Sequence, residues 1–181
     1  MGCASEGTTD RVAPDRRQSH LSRLKVHLGT RAGGGNHRGS IFRLHVGAAL
    51  LARERVHLSW WGVGSSAPED LRNNASKRAE EAAWEQRVSA YIGAMPVLRV
   101  DVLDEAGTCS KRSSIERSAI ALLSNQFAPV DQASDGWLGR HSPHLEIRAS
   151  GLWNLKHVTE AYVPGFLDAF EKCVESTCKV R

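Results

Sequence analysis

Leucines at 21, 24 and 28 recur at helical intervals and Gly29 follows as a stop, so a short amphipathic helix is expected from Ser19. Arg23 and His27 lie one turn apart on its other face. After a glycine-rich loop over 29–39, Ser40 is placed to cap a second helix that runs to about Arg55, with Phe42, Val46, Ala49 and Leu50 on its apolar side. Residues 62–78 are rich in Gly, Ser, Pro and Asn and read as a long surface loop. A third helix follows from Ala79 to Gly93 through Trp84, Val88 and Ile92, and Pro96 prevents its continuation. Leu98, Val100 and Val102 then alternate with Arg99 and Asp101, the period of a half-buried strand over 97–103. Ser113 begins a helix with Ile115, Ala119, Leu122 and Leu123 on one stripe, ended by Asn125 and Pro129. Pro164 sits in the first turn of a last helix bearing Phe166, Leu167 and Phe170. The pattern predicts an α+β fold class in which helices flank a small sheet.

Composition narrows this further. A chain of 181 residues with 41% hydrophobic and 24% charged positions fits one domain. Residues 1–18 carry almost no apolar spacing and read as a disordered segment ahead of a domain over 19–181. No stretch approaches the roughly 18 apolar residues of a membrane span, and a secretory layout is absent, so a cytoplasmic protein without a membrane partner is expected. The cysteines at 3, 109, 173 and 178 form no Cys-x-x-Cys pair and read as reduced thiols. A net charge of +4 permits a nucleic-acid partner without demanding one.

Four polar clusters stand out: Arg23-x-x-x-His27, Asn36-His37-Arg38, Ser113-Ser114-Ile115-Glu116 and Trp153-Asn154. Each alone is a weak signal. Each cluster also has a plainer reading. Ser113-x-x-Glu116 ahead of an apolar run is a capping box, a role that excludes metal ligation at any moment. Asn36-His37-Arg38 fits a turn, Trp153 a core position, and His45 a structural one.

In order and setting these clusters resemble the GIY-YIG nuclease superfamily, over a run from about Ser19 to Phe170 that is similar to one of its bacterial branches. The stretches that carry the likeness are Gly34-Gly35-Asn36-His37-Arg38-Gly39-Ser40, Ile115-Glu116-Arg117-Ser118-Ala119-Ile120 and Ser150-Gly151-Leu152-Trp153-Asn154. The resemblance implies cleavage of a DNA phosphodiester with one Mg2+ or Mn2+. It makes Glu116 the sole protein carboxylate on the metal and Arg23, His27, His37 and Asn154 its catalytic neighbours. Arg23, His37 and Arg38 would be the nucleic-acid contacts.

The family takes its name from a tyrosine-bearing hairpin that precedes the Arg/His helix. Here the tyrosines are Tyr91 and Tyr162, both downstream, and Tyr91-Ile92-Gly93 ends a helix. The hairpin is therefore expected to be missing, leaving a truncated, helix-dominated domain with impaired hydrolysis. The alternatives are a non-catalytic nucleic-acid-binding remnant and a helical interaction module.

Overall fold

A computed structural model describes residues 24–102, 104 and 110–179. Helix α1, of which residues 24–28 are described, leads into a loop and a single 3-10 turn at His37–Gly39. Helices α2 (Ile41–Glu54), α3 (Glu69–Asn73), α4 (Ala75–Gly93) and α5 (Lys111–Leu123) follow, then a 3-10 turn at Leu138–His141, α6 (Leu145–Ser150) and α7 (Phe166–Lys179).

The caps explain most of the boundaries. The Ser40 hydroxyl accepts the Arg43 amide at the start of α2, as its sequence position implies. Helix α4 begins four residues before Ala79 because the side-chain Oδ1 of Asn74 accepts from the Lys77 amide. With α3 ahead of it, half of the expected loop over 62–78 is helical.

The core forms where α2 lies against α4 and against the turn at 138–141. Val46, Ala49, Leu50 and Leu51 of α2 meet Trp84, Val88 and Ile92 of α4 and Leu138. Phe42, Trp61, Tyr91 and Trp153 close its edges.

The α+β expectation is corrected: among the described residues there is no strand and no sheet. Over 97–102 the alternating pattern lies on irregular backbone, and Leu98, expected to face inward, is 96% exposed. A strand needs a neighbour to take its amides, and no neighbouring strand is present among the described residues. One amide here, that of Asp101, is taken instead by Thr177 Oγ1 of α7 at 2.9 Å.

His45 is buried on α2, as a structural residue would be, yet neither ring nitrogen has a hydrogen-bond partner. Its ring meets that of His144 edge-on at 4.7 Å between centroids. Burial first, and the charge of His144 second, hold the His45 imidazole below its ordinary value. The folded state thus binds this proton less readily than the unfolded one. Stability is therefore full above about pH 6.5 and falls as pH drops toward the folded value, at about 1.4 kcal/mol per pH unit. His45→Leu should flatten that slope in urea titrations between pH 7 and 5 and raise stability by about 1–2 kcal/mol by removing unsatisfied nitrogens. An unchanged slope would assign the acid sensitivity to other groups.

Candidate functional site

The first-turn region of α2 gathers several of the candidate residues. His27 Nδ1 lies 2.7 Å from Ser40 Oγ, so the capping hydroxyl of α2 also fixes the end of α1. The His27 ring meets Phe42 edge-on at 5.9 Å, Phe42 meets Trp153 at 6.2 Å, and Trp153 meets Trp137 at 5.3 Å. This aromatic chain holds the loop bearing Asn154 against α1, which carries His27. Asn154 is half-buried, and its amide makes no side-chain hydrogen bond among the described residues.

His37 is 1% exposed and both its ring nitrogens are engaged. Nδ1 lies 2.9 Å from Glu85 Oε1, and Nε2 accepts the Gly62 amide at 3.3 Å, which requires the proton on Nδ1. The ring stacks on Trp61 at 3.8 Å. Arg38 is also drawn inward: its guanidinium is 6% exposed, donates to Glu81 at 2.7 Å and to the Trp60 carbonyl at 3.3 Å, and leaves Nε without a partner.

His37 hangs on an ion pair that the sequence patterns above do not single out. Arg43 is fully buried, and its Nε and Nη2 donate to Glu85 Oε2, with Nε at 3.0 Å. Nη1 donates to the His27 carbonyl at 3.0 Å and Nη2 to Ser89 Oγ at 2.9 Å. Glu85 Oε1 accepts the His37 amide at 2.6 Å. Burial by itself would raise the Glu85 carboxyl. The bonds from His37 and Arg43 together outweigh it and hold the group below its ordinary value. A Cβ on Gly35 would overlap the Arg43 guanidinium, so the loop can cross the ion pair only as glycine.

A signal for this pair exists in the sequence. Arg43 precedes Val46 and Leu50, and Glu85 precedes Val88 and Ile92, each at apolar-stripe spacing. Two opposite charges on the inner faces of two helices are expected to meet.

Glu116 stands apart from this network. It is exposed on α5 and makes no hydrogen bond or ion pair among the described residues. The capping-box reading is corrected, because α5 starts at Lys111 with Ser110 as its cap, accepting the Ser113 amide at 3.1 Å. Glu116 is thus six residues into the helix, beyond reach of the free first-turn amides. The end of α5 is tied to the Asn154 region through Asn125 N to Ser150 O at 2.8 Å and Ser124 Oγ to Val158 O at 2.6 Å. No described bond joins Glu116 to His37, Arg38 or Asn154. Arg23 and the segment 1–18 lie outside the described residues.

Among the described residues no group of three or more His, Cys, Asp or Glu side chains could enclose a metal ion. A single exposed carboxylate such as Glu116 fits a hydrated magnesium-type cation that keeps most of its waters. It does not fit a dehydrated tetrahedral one.

Residues 9–180 match the family model of the GIY-YIG domain. The chain belongs to the GIY-YIG family. No curated protein and no solved structure matches it. The match spans nearly the whole chain and includes all four polar clusters. It gives this GIY-YIG chain a nuclease-like function with nucleic acid as its class of substrate. No described helix is long and apolar enough to cross a membrane.

Proposed function

We propose that this GIY-YIG chain acts on DNA as a magnesium- or manganese-dependent phosphodiesterase with a weakened hydrolytic step. The observation that carries this reading is the state of Glu116, the glutamate of the family-like Ile115-Glu116 stretch, which stands in solvent with no competing bond on a properly capped helix. A cation held there would polarise a phosphoryl oxygen and stabilise the leaving oxygen. Arg23 would neutralise charge on the phosphate, His27 would relay a proton against Ser40, and the Asn154 amide would orient the nucleic acid.

The weakness follows from His37, whose two nitrogens are committed to Glu85 and Gly62 and cannot take a proton from water in this arrangement. Tyr91 packs on the core and Tyr162 on Phe166, so neither substitutes for it. Absence of a positioned base lowers a rate by about 10²–10⁴-fold.

The test is an assay on supercoiled plasmid with magnesium or manganese, for the native chain and for Glu116→Gln. Slow, cation-dependent nicking that disappears in the variant is expected. The melting temperature should be the same in both, since Glu116 supports no bond. Equal cutting by both proteins removes Glu116 from the reaction.

The engagement of His37 and Arg38 also favours a second reading, a nucleic-acid binder that does not cut. Its signature is duplex affinity that falls steeply with salt, with no nicking under either cation. Absence of duplex binding at low salt would leave only the helical interaction module.

A further inference from the structure

A cleft of about 590 Å³ opens beside the first turns of α5, lined by Ser110, Ser113, Ser114, Arg117, Ser118 and His157, with Ala161 and Val163 at its side. Ser114, Arg117 and Ser118 share one face of α5 at i, i+3 and i+4. Glu116 is not among the residues that line the cleft. The cleft is therefore a different place from the proposed cation position, and what it binds is independent of that reading.

Its polar groups are spare. Ser118 is 4% exposed, faces this cleft, and has no hydrogen-bond partner among the described residues. Among the described residues the hydroxyls of Ser113 and Ser114 have none either. The first-turn amides do not account for the site, because Arg112 N donates to Asp104 Oδ2 at 3.1 Å and Ser113 N to Ser110 Oγ at 3.1 Å. The unmet donors are side chains.

The nearby acid is already neutralised. Glu160 takes His157 Nδ1 at 2.9 Å and the Arg117 Nε, and these two bonds, His157 first, hold its carboxyl below the ordinary value. His157 Nε2 and the remaining guanidinium nitrogens of Arg117 have no partner among the described residues. Among the described residues no unpaired carboxylate lines the cleft, and its donors suit an anion better than a cation.

We propose that this cleft binds a phosphate group, through the hydroxyls of Ser113, Ser114 and Ser118, the Arg117 guanidinium and His157 Nε2. A phosphate offers several acceptor oxygens to donors that converge from more than one direction, and a guanidinium meets two of them at once. Ala161 and Val163 give the organic part of an ester an apolar wall. The phosphate belongs either to a nucleic-acid backbone or to a small phosphorylated molecule, and the two sources present the same chemistry to the cleft.

The experiment is a titration of the full chain with inorganic phosphate, followed by amide NMR shifts. Saturable shifts are expected at Ser113, Ser114, Arg117, Ser118 and His157. Arg117→Ala should weaken the affinity by about tenfold or more, the usual consequence of losing a hydrogen bond to a charged group. Ser114→Ala, an exposed position, should weaken it severalfold without threatening the fold. Glu116→Gln should respond like the native chain, so failure of the cation reading leaves this result standing. A short duplex that displaces phosphate and shifts the same amides identifies a nucleic-acid backbone as the source; a 5′-mononucleotide that does so while the duplex does not identifies a small molecule. Non-saturating shifts, or equal affinities in the native chain and both cleft variants, overturn the proposal.

Discussion

Glu85→Ala is expected to lower the melting temperature by about 10–20 °C. The carboxylate is 3% exposed and accepts from Arg43 and twice from His37. Its removal leaves a guanidinium that is 0% exposed with only neutral partners, the carbonyls of His27 and residue 85 and the hydroxyl of Ser89. Breaking one side of a buried ion pair costs about 3–5 kcal/mol. The two orphaned donors of His37 add to that, against a total stability of about 5–15 kcal/mol for a domain. At about 2–4 °C per kcal/mol for a chain of this size, the shift follows. Thermal unfolding followed by circular dichroism checks it, and a fall of under about 3 °C would show that water reaches the pair. Because the Glu85 carboxyl is held below its ordinary value, its contribution is present above about pH 4.5 and is lost as pH falls through the folded value. That acid window lies below the one set by His45, so the two groups separate in a pH series.

The sequence was most legible where a cap and an apolar stripe agree. Ser40 ahead of Phe42, Val46, Ala49 and Leu50 defines α2, and Trp84, Val88 and Ile92 define the buried side of α4. It misled over 97–103, where alternation is a property of single residues but a strand is a property of a pair. The same pattern is compatible with an irregular segment whose Asp101 amide is taken by Thr177. Helix α3 escaped notice because its five residues are too few to show a helical period.

The candidate site was legible to different degrees. Glu116 was visible through the family-like stretch around it, while its competing role as a cap depended on where α5 begins, a boundary settled by Ser110. The resemblance makes His37 and Arg38 nucleic-acid contacts, and their glycine-rich loop agrees with that, since loops usually face water. The structure turns both inward, since the buried Glu85 and the part-buried Glu81 on α4 supply acceptors that no local pattern reveals. Arg43 and Glu85 were passed over for a related reason: each charge alone looks like a solvated position, and only their matching stripes disclose a pair. The phosphate cleft depends on His157 and Arg117 meeting at Glu160, a contact between distant parts of the chain.

Gly47→Ala separates local preference from packing most sharply. Within a helix, alanine is favoured over glycine by about 1 kcal/mol, so propensity alone makes this a stabilising change in α2. The structure reverses the sign, because a Cβ at Gly47 would overlap the Trp61 ring. Trp61 has little freedom to retreat: its Nε1 donates to the Leu44 carbonyl at 3.2 Å, and its ring stacks on His37 at 3.8 Å. Moving it sacrifices a hydrogen bond of about 1 kcal/mol and a stacking contact of about 0.5–1.5 kcal/mol, while holding it in place incurs overpacking of about 1–3 kcal/mol. Either route exceeds the propensity gain, and a net loss of about 1–3 kcal/mol is expected by urea denaturation. Gly93→Ala is the control, since a Cβ there meets nothing within 4 Å, and it should be neutral or slightly stabilising. The double variant Gly47→Ala/Trp61→Ala should be less destabilised than the sum of its single changes, because the overlap vanishes with the ring. A stabilised Gly47→Ala protein would mean that Trp61 does not rest on α2, and the stacking that helps hold His37 beside Glu85 would lose its support.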